Sequence, residues 1–151
     1  MKHAEFYRDL KKKIDLHDWA HMGIQGCASG DTPFDYTIGL TEMNLPELLI
    51  CLPIRKEIAN MILHNVIEQW KKKGYFVGRS DDILHGMPIE LVEIDPIEAC
   101  EEFMIQVPQY YKISACDVKA VQIVLPDQNG KLPRDDGYNM YQQLLIQTKR
   151  G

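Results

Sequence analysis

Two histidines four positions apart, in His17-Asp18-Trp19-Ala20-His21, have the spacing that most directly suggests chemistry. On a helix, histidines at i and i+4 share one face and can hold a zinc ion while an adjacent acid acts as base. Here the acid is the shorter aspartate, and Trp19, His21, Gly23 and Gln25 alternate with Ala20, Met22 and Ile24 in the pattern of a strand. In an extended chain, side chains at that separation lie about 13 Å apart. His17 is therefore expected to close a helix, His21 to sit on a strand, and no metal site or other cofactor is expected. Further on, Gly26-Cys27-Ala28-Ser29-Gly30 places a thiol and a hydroxyl in a turn near His21 and Asp31. The segment lacks the Gly-x-Ser-x-Gly elbow and the lysine of a phosphate loop, so it reads as a surface loop. Cys27 and His21 are the catalytic candidates, with His64 or His85 as alternative partners brought in by folding.

Other polar groups have plainer readings. Asp81 with Asp82, Glu101 with Glu102, and Asp135 with Asp136 are neighbours in sequence that point in different directions, as solvated surface charge does. Asp127, Asn129 and Asp135 offer hard oxygen atoms without the spacing and closing glutamate of a calcium-binding hand. His64 and Asn65 mark the edge of a helical stripe.

These side chains must be held by a fold of 151 residues, 45% apolar and 26% charged, which suits one soluble domain with its own core, residues 1–151. The net charge of −5, with basic residues in short runs such as Lys11 to Lys13, argues against a nucleic-acid partner. The apolar runs near Leu48 and Val121 fall far short of the roughly 20 residues of a membrane span. Neither a membrane partner nor a signal-peptide core is expected, which points to the cytoplasm. The four cysteines form no Cys-x-x-Cys pair and read as reduced thiols.

An amphipathic helix is expected near Ala4 to Ile14, within an N-terminal segment of residues 1–16, followed by a first strand at Trp19. Phe34, Tyr36, Ile38 and Leu40 alternate with polar residues as a half-buried strand, and Leu48 to Leu52 reads as a central strand covered on both faces. Ile58, Met61, Ile62, Val66 and Trp70 form a helical stripe that Gly74 closes. Tyr75 to Gly86 reads as irregular, Pro88 to Ile94 as a strand, and Ile97 to Ile105 as a helix with Asp95 as cap and Pro96 at its first position. Val118 to Leu125 is a last strand, then Pro126 to Gly130 a turn and Leu132 to Tyr141 a loop. The irregular mixture predicts an α+β domain, its mostly antiparallel sheet packed against one long helix and two shorter ones.

Four elements, Phe34-Asp35-Tyr36-Thr37-Ile38-Gly39-Leu40, Leu45-Pro46-Glu47, Gly86-Met87-Pro88-Ile89, and Pro126-Asp127-Gln128-Asn129-Gly130-Lys131-Leu132-Pro133 ahead of Asp136-Gly137-Tyr138, carry a resemblance. With them the chain resembles the bacterial domain-of-unknown-function family 4262 over about residues 17–146. Leu45 stands where that family usually has histidine. The family has no assigned activity, so the resemblance implies a fold. The order of strands and helices is also similar to suppressor-of-fused-like domains, which bind other proteins and in bacteria are associated with toxin immunity.

These readings favour a non-enzymatic protein-binding domain, immunity- or inhibitor-like, whose negative charge suits a basic partner. The alternative is a small enzyme or ligand-binding domain with a pocket at Tyr36, Thr37 and Gly39, completed by Asp127, Asp136 and Tyr138. A homodimer paired through an edge strand is a third expectation.

Overall fold

The computed structural model describes residues 2–24, 32–140 and 143–149. Helix α1 (Lys2–His17) ends where Asp18, at φ 75°, turns the chain into strand β1 (Ala20–Ile24). Strand β2 (Phe34–Ile38) returns beside it, and a short 3₁₀ turn (Leu40–Met43) leads into β3 (Glu47–Ile50). Helix α2 (Lys56–Lys73) then crosses the sheet and stops at Gly74. A hairpin follows, β4 (Gly78–Leu84) and β5 (Met87–Glu93), then α3 (Pro96–Glu102), α4 (Gln106–Tyr111) and β6 (Ala120–Val124).

The strands form one sheet in the order β1-β2-β3-β6-β5-β4. Only β3 and β6 run parallel, with Leu48 opposite Val121; the other pairs are antiparallel, as the predicted α+β fold requires. The pleat sends alternate residues to opposite faces, so the sheet has two cores. Leu48, Ile50, Val121 and Ile123 pack with α2 on one face. Tyr36, Ile38, Leu49 and Ala120 pack with Leu10 and Ile14 of α1, Ala99 and Cys100 of α3 and Val107 of α4 on the other. Central β3 is buried along its whole length, as expected of a strand covered twice.

Several expectations need correction. The segment from Tyr75 to Gly86 is not irregular: β4 occupies most of it as an edge strand, with a register shift between Ser80 and Leu84. Arg79, Asp81 and Asp82 face solvent there, so the strand lacks the apolar alternation that reveals a half-buried one. Ile97 to Ile105 is not one continuous helix: α3 stops at Glu102, and α4 is a separate element with Pro108 inside it. The buried stripe of α2 runs through Ala59, Ile62, Leu63, Val66, Ile67 and Trp70, leaving Ile58 and Met61 exposed. Asp95 does cap α3, accepting the Ile97 N–H at 3.3 Å with Pro96 at the first position.

Beyond the loop at 132–140, residues 143–149 are tied down by buried amides. Gln143 brackets Leu125, its Oε1 accepting the Leu125 N–H at 2.8 Å while its Nε2 donates to the Leu125 carbonyl at 3.0 Å. Gln122 does the same work further on, donating to the Leu144 carbonyl at 2.6 Å and accepting the Ile146 N–H at 3.0 Å. No helix among the described residues is long and apolar enough to cross a membrane.

Candidate functional site

At the β1 edge of the sheet, α1 on one face and α2 on the other enclose a cleft of about 820 Å³. Each helix contributes a row of polar side chains four positions apart, Asp9, Lys13 and His17 from α1 and Lys56, Asn60 and His64 from α2. That spacing keeps successive residues on one helix face. Trp19 to Gly23 also line the cleft, and because they are consecutive, it is the strand's edge, with its backbone groups, that faces the opening. Three of the chain's five histidines meet here. Neither Lys13 nor Lys56 pairs with a carboxylate among the described residues.

His21 is the fixed point of the cleft. Its Nε2 lies 2.6 Å from Asp35 Oδ1, and the two side chains are only 6% and 9% exposed. A carboxylate can only accept, so Nε2 carries the proton and donates it to Asp35. On the other side of the ring, Nδ1 lies 3.3 Å from the Asn60 amide of α2. An aspartate that orients an imidazole in this way prepares the free nitrogen to take a proton or to accept a hydrogen bond. Gly23, across from Asp35 in the β1–β2 ladder, makes room for the pair: a Cβ there would stand 3.1 Å from Oδ1. His17 and His21 are separated by the turn at Asp18 and share the cleft without sharing a helix. Among the described residues no cluster of three histidines, cysteines or carboxylates is placed to hold a metal.

A second polar centre, which sequence reasoning does not single out, surrounds Glu47. Its side chain is completely buried. Oε1 accepts from the Thr37 hydroxyl at 2.7 Å and the Leu40 N–H at 3.3 Å. Oε2 accepts from the N–H groups of Gly39 and Thr41 at 3.3 and 2.9 Å, the Thr41 hydroxyl at 2.7 Å and the Tyr111 hydroxyl at 3.0 Å. Burial pushes this carboxyl upward, and the bonds from Thr41, Thr37 and Tyr111 oppose that shift. Every one of these partners donates, which is the arrangement an ionised carboxylate satisfies. Burial, followed by the Glu47 charge, raises the Tyr111 hydroxyl, so it stays protonated and able to donate.

The six residues expected to form a pocket occupy two distant places. Tyr36, Thr37 and Gly39 are buried. Tyr36 donates its hydroxyl to Gln106 of α4, and burial raises it. Thr37 links Glu47 to the Leu48 N–H, which it accepts at 2.9 Å. Gly39, at φ 126°, lies so close to the α1–β1 turn that a Cβ would meet the Asp18 carbonyl at 2.7 Å and Trp19 Cα at 2.8 Å. Gly39 serves close backbone packing there and donates its N–H to the Tyr111 hydroxyl at 2.7 Å.

Asp127, Asp136 and Tyr138 lie past the far end of β6, whereas Gly39 and Glu47 sit by its first residue, Ala120. Asp127 organises its own turn, accepting from the N–H groups of Lys131, Asn139 and Asn129, Lys131 having the largest effect, and these bonds hold its carboxyl below the usual range. Asp135 accepts the Leu132 N–H and approaches Arg79. Asp136 is exposed, and the Tyr138 hydroxyl accepts from Gln143. None of the six lines the β1 cleft. Cys27 lies outside the described residues.

No curated protein and no solved structure shows significant similarity to this chain. A family model does match, over residues 13–139, and is described as Domain of unknown function (DUF4262). That span takes in the last turns of α1, all six strands and the turn that Asp127 organises, so both the Glu47 centre and most of the β1 cleft fall inside it. The chain belongs to the DUF4262 family.

Proposed function

We propose that this chain is a non-enzymatic binding domain whose recognition site is the cleft between α1, β1 and α2, and that the site takes an acidic segment of a protein partner. The observation that carries this is the pair Lys13 and Lys56, one on each wall, with no carboxylate partner among the described residues, beside the imidazoles of His17 and His64. Whole-chain charge favours a basic partner, but charges at the contact determine the fit, and the cleft sets Lys13 and Lys56 against the single carboxylate of Asp9. The pattern similarity to suppressor-of-fused-like domains, which act by binding proteins, agrees with this assignment. Cys51, Cys100 and Cys116 are free thiols, which fits a reducing compartment such as the cytoplasm.

The test uses Trp19, which lines the cleft, while the other tryptophan, Trp70, is buried under α2. Poly-L-glutamate is expected to change Trp19 fluorescence with an affinity that falls as salt rises, and Lys13→Glu with Lys56→Glu is expected to abolish the change. Equal response to poly-L-lysine, or no effect of the charge reversals, overturns the proposal.

The His21–Asp35 pair favours a second reading, a ligand-binding or catalytic site centred on Nδ1 instead of on Tyr36 and Gly39. A metabolite that stabilises the native chain thermally but not its His21→Gln variant supports it.

A further inference from the structure

Strand β1 is one of the two edges of the sheet and pairs only with β2 among the described residues. The two edges are protected very differently. β4 presents Arg79, Asp81 and Asp82 and carries a register shift, the usual defences against unwanted pairing. β1 has none of them. Its five residues, Ala-His-Met-Gly-Ile, hold register with β2 without interruption and contain no lysine, proline or exposed acid, and Ala20 to Gly23 open into the cleft over a length of roughly 13 Å. The single histidine among them points inward to Asp35.

We infer that the partner segment binds by adding a seventh strand to the open edge of β1, with carboxylates set against Lys13 and Lys56. This rests on the assignment of the cleft as the binding site and adds the manner of binding and the conformation of the ligand, an extended acidic stretch of protein. Main-chain hydrogen bonds to β1 supply affinity, and the side chains on the two walls supply selection, as in other complexes formed by strand addition. The occupant is acidic because the charged side chains on the cleft rim are Lys13 and Lys56 against Asp9 alone, Asp35 being taken up by His21.

The experiment uses the full chain and a decapeptide of alternating Glu and Val, with a copy N-methylated along its backbone. Trp19 fluorescence reports binding, and amide hydrogen exchange reports β1. The unmodified peptide is expected to bind and to slow exchange of the outward amides of Ala20 to Ile24, and the methylated copy to bind at least about tenfold more weakly, because its main-chain donors are gone. If both peptides bind equally and β1 exchange is unchanged, strand addition is overturned while the cleft remains a binding site. If neither peptide binds and the lysine reversals change nothing with poly-L-glutamate, the cleft assignment falls and strand addition with it. If β1 amides are protected without peptide in a concentration-dependent dimer, the occupant is a second copy of this chain, and the acidic-segment proposal is overturned.

Discussion

Tyr111, the last residue of α4, donates its hydroxyl to Glu47, the first residue of β3, at 3.0 Å, and accepts the Gly39 N–H on the same oxygen at 2.7 Å. One side chain thus ties a peripheral helix, the turn after β2 and the central strand to a single buried charge. Replacing Glu47 by Gln puts an amide N–H₂ against at least one group of donors, since both oxygens are surrounded by them. Glu47→Gln is expected to lower the unfolding free energy by about 3 kcal/mol, and Tyr111→Phe by about 1–2 kcal/mol. Urea denaturation followed by circular dichroism measures both.

Gly39→Ala forces a methyl group into the Asp18 carbonyl at a φ that L-residues rarely adopt. A loss of more than about 1 kcal/mol is expected. Gly137→Ala, also at positive φ but with open space around it, is the control that separates backbone strain from collision.

Acid should affect the turn at Asp127 selectively. Its folded-state carboxyl is depressed by the N–H groups it accepts, so its contribution is fully present above the ordinary aspartate range. That contribution is lost as pH falls from this range through the depressed folded value. Thermal unfolding measured from pH 6 downward should show Asp127→Asn with a shallower decline than the native chain, the two curves converging at the acid end.

Burial pushes the Cys51 thiol up to about 12 and the Cys100 thiol to about 11, while Cys116 is exposed. Iodoacetamide at pH 8 should therefore modify Cys116 in the native chain and leave Cys51 and Cys100 unmodified until denaturant is added. Peptide mapping by mass spectrometry resolves each position.

Elements whose local pattern matches their burial are legible in the chain. Phe34 to Ile38 alternates because one face meets α4 and the other the polar Glu47 centre, so the strand is legible while its half-buried reading is not borne out, Asp35 and Thr37 being buried as well; Asp95-Pro96 announces α3 because a cap and a fixed φ act locally. β4 is hidden because an edge strand keeps its polar residues for solvent, and α4 because six residues around Pro108 show less than two turns of periodicity. His21 is recognisable as a chemical group, yet its partner is Asp35, fourteen positions away and set by the β1–β2 register, and not His17. Glu47 leaves a trace only in hindsight, as an acid directly after a proline at the head of an otherwise apolar strand, downstream of Thr37, Gly39 and Thr41. The cleft leaves less, because Lys13 and Lys56 belong to helices that meet only across the sheet edge.

The strand that completes the centre of the sheet, β6, is made after the five strands it joins among the described residues. A ribosome therefore releases β1 to β3 and then the β4–β5 hairpin before the piece that joins them exists. During that interval β3 and β5 each present an open border, and the two half-sheets are free to pair wrongly or with neighbouring chains. Arrival of Ala120 to Val124 closes both borders at once, so the two half-sheets can join correctly only once those five residues have been made.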